Sequence, residues 1–309
     1  MNIVWLEADS LSVDLPRPDS PHDWTQFPFT ETSKVRERIA QADILIVNKV
    51  TIGEPELKAA PNLKAIAVTA TGTDNIDSKA CAARGVQVRN VVNYGPQAVA
   101  EHAFACLLQL VRRVPEWQQL VHNGSWSQSR FFCLHTLPMR SLNQMTLGIL
   151  GNGAIGQKLA HYARSFDMDV LTIERPGASG VRAGYVSFEE GLSRVDVLSL
   201  HCPLNDQTKG LMNEANLRAM KKGSVLINTA RGGLVDFDSL KTVLLDGHLD
   251  GAALDVLDTE PPPADHPMVQ WSHPRLIVTP HVAWGTLQAQ TRVAELTLEN
   301  LENFLKSTA

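Results

Sequence analysis

Thr146-Leu147-Gly148-Ile149-Leu150-Gly151-Asn152-Gly153-Ala154-Ile155-Gly156 is the stretch whose reading decides the fold. Thr146 to Leu150 is an apolar run of strand length, and Gly151 to Gly156 follow the spacing G-x-G-x-x-G. Ala154 to Phe166 then continue as a helical pattern. Alone, the hexapeptide says little, because glycine is common. Between a strand and a helix it reads as a turn that cradles phosphate: Gly151 permits the tight bend, Gly153 lets a pyrophosphate approach the backbone, and Gly156 allows close helix–strand packing. The amides of Ala154 and Ile155 face the phosphates from a helix amino terminus, where the dipole favours negative charge.

The next strand runs from Asp169 to Ile173, and Glu174 follows 18 residues after Gly156. A ribose-binding carboxylate is expected roughly 20 residues beyond such a turn. It accepts hydrogen bonds from the adenosine 2′-hydroxyl and repels a 2′-phosphate, so the expected cofactor is NAD(H). The adjacent Arg175 is a residue type that serves NADP, which keeps the second cofactor open. The competing reading is a structural glycine turn beside a solvated acid.

Outward from this unit, Val195–Leu200, Ser224–Asn228, Gly251–Val256 and Leu276–Thr279 are further strand-like runs, with helical stretches such as Asn213–Met220 between several of them. Upstream, Ile3–Leu6, Ile44–Val47 and Ala65–Val68 alternate with Ser33–Gln41 and Glu54–Ala60. Strands alternating with helices argue for parallel sheets covered on both faces. With 309 residues and about 100–200 residues per domain, the expectation is α/β with two doubly wound parallel-sheet domains and an interdomain cleft. The last helix, about Gln288–Leu305, cannot bury its apolar face alone and should pack back on the first domain. The expected boundaries are therefore 1–94 with 285–309 for one domain and 95–284 for the other, with 97–142 as a linker helix and arm.

Composition narrows the class. Apolar residues make up 44%, charged residues 20%, and the formal charge is -5, close to the globular average and without the basic excess of a nucleic-acid binder. No apolar run reaches the roughly 18 residues of a membrane span, and Met1–Asp9 lacks the basic start of a signal peptide. Cys81, Cys106, Cys133 and Cys202 lie far apart with no paired metal-ligand spacing, and read as free thiols in a reducing compartment. The expectation is a cytoplasmic protein with no metal, no membrane contact and no nucleic-acid partner.

Three segments place chemistry just beyond strands: Asn228-Thr229-Ala230-Arg231-Gly232-Gly233, Asp255-Val256-Leu257-Asp258-Thr259-Glu260, and Thr279-Pro280-His281-Val282-Ala283-Trp284. In open parallel sheets, ligands bind at the strand carboxyl ends, so Arg231, Glu260 and His281 should converge beside the nicotinamide end of the cofactor. Singly, each has a structural reading: an ion-pair partner, a turn acid before prolines, and a core or surface imidazole.

Together with Thr71-Gly72-Thr73-Asp74-Asn75-Ile76-Asp77, Val99-Ala100-Glu101-His102 and His201-Cys202-Pro203-Leu204, these motifs resemble, in order and spacing, the NAD-dependent D-2-hydroxyacid dehydrogenase family. Arg130–Arg140 and Trp284 lean towards its glycerate dehydrogenase, or hydroxypyruvate reductase, branch. The resemblance implies a Rossmann-type cofactor domain, a flavodoxin-like substrate domain and a homodimer formed through the 97–142 arm. It also implies reduction of a small 2-keto acid by NADH.

His281 would donate the proton, Glu260 would orient its ring and favour the charged form, and Arg231 would clamp the carboxylate and keto oxygen with a planar fork. A family member with Gln in place of Glu260 is a formate dehydrogenase, so the acid speaks against formate. The amides of Thr71 and Gly72 would hold the substrate carboxylate, with Asn48 and Lys49 near the same pocket. Cys202, Pro203, Thr229, Ala230, Asp255 and Trp284 would border the cofactor, while Glu101 and His102 read as structural. A D-lactate-type or broader 2-keto acid reductase, or an NAD-sensing corepressor-like binding protein, stays open beside the leading reading.

Overall fold

The computed structural model describes residues 1–307; residues 308 and 309, the end of the expected 285–309 segment, lie outside them. The chain divides into two compact units, Met1–Gly95 with the chain from Gly285 onward, and Pro96–Trp284.

In the first unit, β1 (Asn2–Trp5), β2 (Asp23–Gln26), β3 (Ile44–Val47), β4 (Ala65–Val68) and β5 (Gln87–Asn90) form one sheet in the order β2-β1-β3-β4-β5. Every neighbouring pair is parallel. This is the flavodoxin-like order. β3 and β4 are buried along their whole length, as expected where helices cover both faces of a parallel sheet. The edge strands β2 and β5 lie outside the apolar runs of the sequence. Their residues, Asp-Trp-Thr-Gln and Gln-Val-Arg-Asn, are mostly exposed or half-buried, so no continuous hydrophobic run marks them. The helix Leu287–Ser307 packs against β4 and buries Val293, Leu301 and Phe304. Asn300 Nδ2 donates to the Asn90 carbonyl at 3.1 Å, and Gln290 Oε1 accepts the Ser12 amide at 2.7 Å.

In the second unit, β6 (Thr146–Leu150), β7 (Asp169–Ile173), β8 (Tyr185–Val186), β9 (Val197–Leu200), β10 (Ser224–Asn228), β11 (Leu249–Leu254) and β12 (Leu276–Val278) form a parallel sheet. Their order is β12-β11-β10-β9-β6-β7-β8. Counted from β6, this is the dinucleotide-fold order with one further strand, and the chain reverses direction across the sheet between β6 and β9. The helix Pro96–Arg112 is part of this unit's core: Ala103, Leu107 and Leu110 pack with Leu147, Ile149 and Leu159. Beyond it, the helix Val114–His122 has no buried residue. Its base is pinned where Arg113 and Arg275 share Asp250, at 2.8 and 2.6 Å, while Arg275 also meets Glu116 at 3.0 Å. Among the described residues, no helix is long and apolar enough to cross a membrane.

Candidate active site

The glycine turn sits at the carboxyl end of β6, where the strand order reverses. Gly151 has φ +103°, and a Cβ there would lie 2.4 Å from the His201 carbonyl carbon and 2.6 Å from the Cys202 nitrogen. A Cβ on Gly156 would lie 2.4 Å from the Gly151 oxygen, so this glycine lets the helix Ala154–Ser165 close onto the turn. Gly153 differs: nothing stands within 4 Å of its missing Cβ. It precedes that helix without any side-chain cap, leaving the first amides, those of Ala154 and Ile155 included, to serve an outside acceptor.

One residue beyond β9 and β10, two buried polar atoms, His201 Nδ1 and Thr229 Oγ1, have no hydrogen-bond partner among the described residues. An open glycine cradle, uncapped amides and orphaned polar atoms along the same strand ends fit a dinucleotide. Burial holds the His201 imidazole down to about 4 and pushes the Cys202 thiol up to about 11. Both side chains are therefore neutral near pH 7. Pro203 is exposed, its carbonyl accepting the Thr208 hydroxyl at 2.8 Å.

Glu174 stands at the end of β7 with its side chain only 4% exposed. Its carboxylate is gripped by Arg182, from Nε at 2.6 Å and Nη2 at 2.8 Å, and by the Arg175 amide at 3.0 Å. The Arg182 fork, followed by the Arg175 amide, holds the carboxyl at about 2. Sequence reasoning missed Arg182. It lies in a loop of small and polar residues without motif, and only its location beside a carboxylate marks it.

The turn after β10 is shaped by Asn228, which is fully buried. Its Oδ1 accepts the Ala230 amide at 3.0 Å and its Nδ2 donates to the Arg231 carbonyl at 2.8 Å. Arg231 Nη1 in turn donates to the Ala230 carbonyl at 2.8 Å. The following Gly232 touches the next functional loop: a Cβ there would lie 2.0 Å from the Leu257 carbonyl carbon and 2.4 Å from the Asp258 nitrogen. The Arg231 turn and the Glu260 turn thus meet backbone to backbone.

Glu260 closes that second turn by accepting the Leu257 amide on Oε1 at 2.9 Å. Its Oε2 lies 2.5 Å from His281 Nδ1. An ionised carboxylate is acceptor only, so Nδ1 carries the hydrogen and Nε2 is the nitrogen left to exchange a proton. Both side chains are about one-third exposed, at 31% and 30%. His281 has φ +53°, a left-handed conformation uncommon outside glycine. Asp255, buried, holds this turn: its carboxylate accepts the amides of Val282 and Ala283, both at 2.9 Å, and the Thr279 hydroxyl at 2.6 Å. His102, on the core helix, reaches the same Thr279 hydroxyl at 3.1 Å. Trp284 is half-buried at the end of the unit.

In the first unit, Asn48 and Lys49 follow β3, and Thr71 and Gly72 follow β4. Glu7 gathers the amides of Asn48, Lys49 and Val50 at 2.7, 2.9 and 3.0 Å. Asn75 Nδ2 donates to the Val50 carbonyl at 2.8 Å, and Asn90 Nδ2 to the Thr71 carbonyl at 2.6 Å. Neither Glu7 nor Asn90 is marked by a motif, and both act only through backbone.

Residues 104–283 match the family described as D-isomer specific 2-hydroxyacid dehydrogenase, NAD binding domain. A glycerate dehydrogenase of Methylorubrum extorquens is 37% identical over 98% of this chain and 96% of its own length. A hydroxypyruvate reductase of Blautia hydrogenotrophica is 33% identical over 91% and 87%. Among solved structures, the D-lactate dehydrogenase of Aquifex aeolicus, complexed with NAD and lactic acid, superimposes with a TM-score of 0.80 at 28% identity, covering 99% of this chain and 96% of that one.

Proposed function

The chain belongs to the D-isomer specific 2-hydroxyacid dehydrogenases, a family of NAD-binding oxidoreductases, and from that premise we propose that it reduces hydroxypyruvate, and glyoxylate beside it, to D-glycerate and glycolate with NADH. The observation that carries the reading is the Glu260–His281 pair at 2.5 Å, with the Glu260 turn in backbone contact with that of Arg231, at the strand carboxyl ends of a dinucleotide fold. The likeness to the glycerate dehydrogenase and hydroxypyruvate reductase supports the substrate.

Bound NADH supplies the hydride to C2, chemistry no side chain provides. His281 Nε2 gives the proton to the carbonyl oxygen, and Glu260 holds the ring by Nδ1 and faces the imidazole with an anion. Arg231 pairs with the substrate carboxylate and keto oxygen through its planar fork. The amides of Thr71 and Gly72, with Asn48 and Lys49, take the carboxylate in this reading, which makes residues 1–94 and 285–309 the substrate domain and 95–284 the cofactor domain. Ala154, Ile155, Cys202, Pro203, Thr229, Ala230, Asp255 and Trp284 border the dinucleotide, and Glu174 faces its adenosine ribose.

The enzyme acts as a homodimer: Phe131 and Phe132 are 76% and 91% exposed on the arm, beside a half-exposed Trp126, and such apolar patches mark interfaces. Sedimentation should show a dimer at micromolar concentration; a monomer overturns this part. All four cysteines are free thiols, which suits the cytoplasm.

Steady-state rates of NADH oxidation with hydroxypyruvate, glyoxylate, pyruvate and branched 2-keto acids test the substrate. Hydroxypyruvate should give the highest kcat/KM. Pyruvate or a branched acid ranking first would replace the substrate, and no turnover on any of them would remove the activity.

A further inference from the structure

We infer that Arg182 is a second selector of the cofactor, a guanidinium that masks Glu174 and meets a 2′-phosphate, so that this site takes NADPH as well as NADH. The inference deepens the proposed function and rests on its cofactor reading.

An ionised carboxylate offers about four acceptor positions. In Glu174, Oε1 accepts the Arg175 amide at 3.0 Å and Arg182 Nη2 at 2.8 Å, while Oε2 accepts Arg182 Nε at 2.6 Å and the Arg182 amide at 3.4 Å. Both oxygens are engaged and the side chain is 4% exposed. A ribose hydroxyl therefore reaches this carboxylate only when the Arg182 side chain moves off it. The same ion pair cancels the charge by which a lone acid repels a 2′-phosphate.

Arg182 is suited to the exchange. Its side chain is 62% exposed, so the fork has room to turn towards solvent, and a ribose hydroxyl donating to the buried Glu174 carboxylate takes over part of the contact it gives up. The guanidinium carbon lies 4.0 Å from the centre of the Tyr185 ring, a stacking contact that stays available when the fork turns. The Tyr185 hydroxyl accepts Asn152 Nδ2 at 3.4 Å, which ties this ring to the glycine turn itself. The fork towards Glu174 uses two of the five guanidinium donors, and three remain for phosphate oxygens. An acid capped in this way discriminates less than an uncapped one.

The test is the pair of dissociation constants for NADH and NADPH, measured by fluorescence titration of the full-length protein and of Arg182→Ala. The wild type should bind NADPH no more than about 100-fold more weakly than NADH, and Arg182→Ala should raise the NADPH-to-NADH ratio of Kd at least about fivefold. A wild type beyond that limit, or a smaller rise in the variant, overturns the inference while leaving NADH as cofactor. A wild type that fails to bind NADH overturns the cofactor reading beneath it, and this inference with it.

Discussion

Asp255 and His281 are joined through backbone: the Asp255 carbonyl accepts the His281 amide at 2.8 Å, and the Asp255 carboxylate accepts the next two amides at 2.9 Å each. One buried acid thus fixes three consecutive peptide groups and holds His281 at φ +53°, a conformation that costs of order 1–3 kcal/mol outside glycine. Thr279 donates its hydroxyl proton to Asp255, so it accepts from His102, and a chain of bonds runs from the core helix to the imidazole turn.

Asp255→Asn places an amide NH2 where one backbone N–H needs an acceptor. Chemical denaturation should show a loss of about 2–3 kcal/mol, and kcat should fall more than NADH affinity. A variant as stable as the parent would show that the acid does not brace the turn.

Gly232→Ala puts a methyl group against the Leu257–Asp258 peptide, where nothing flexible can yield. The two turns must part, at about 1–3 kcal/mol of stability. Because they carry Arg231 and Glu260, KM for the keto acid should rise and kcat should fall together. Unchanged kinetics would mean that the contact does not set their spacing.

Reduction consumes a proton, so its rate should fall as pH rises, while oxidation of the hydroxy acid shows the reverse. Glu174 adds a separate signature. Its carboxyl is held near 2, first by the Arg182 side chain, and a group depressed in this way stays ionised down to that pH. Between pH 4 and 6, an NMR titration of the cofactor-free protein should show no limb from Glu174, and Arg182→Ala should bring one in by returning the carboxyl towards its ordinary range. A limb already present in the wild type would contradict the tight pairing.

Burial pushes the thiols of Cys202 and Cys106 up to about 11, so at pH 8 only about one molecule in a thousand carries either thiolate. Cys133, on the arm, is partly exposed. Iodoacetamide at pH 8 should label Cys133 first, by mass spectrometry of peptides. Fast labelling of Cys202 would show that the site is open to solvent around it.

Interior strands were legible in the sequence because burial on both faces forces continuous apolar runs: Ile44–Val47, Ala65–Val68, Thr146–Leu150 and Ser224–Asn228 have the same bounds in the structure as in the pattern. β2, β5 and β8 lie at sheet edges, face water and carry mixed residues, so no such run exists for them. The glycine turn was legible because Gly151 and Gly156 meet backbone atoms that exclude any side chain. Arg182 and Glu7 were not, nor were the contacts made by Asn228 and Gly232, which the sequence marked only as neighbours of Arg231, because each acts through a loop contact whose partner is fixed only by the fold.

The account stands most directly on His281. With saturating hydroxypyruvate and NADH, His281→Gln should lower kcat by about 10²–10⁴ while the Kd for NADH, measured by fluorescence on the same preparation, stays within about threefold. A variant that keeps more than about a tenth of the wild-type kcat, a loss well short of what a general acid supplies, would contradict the assignment of the proton to this imidazole.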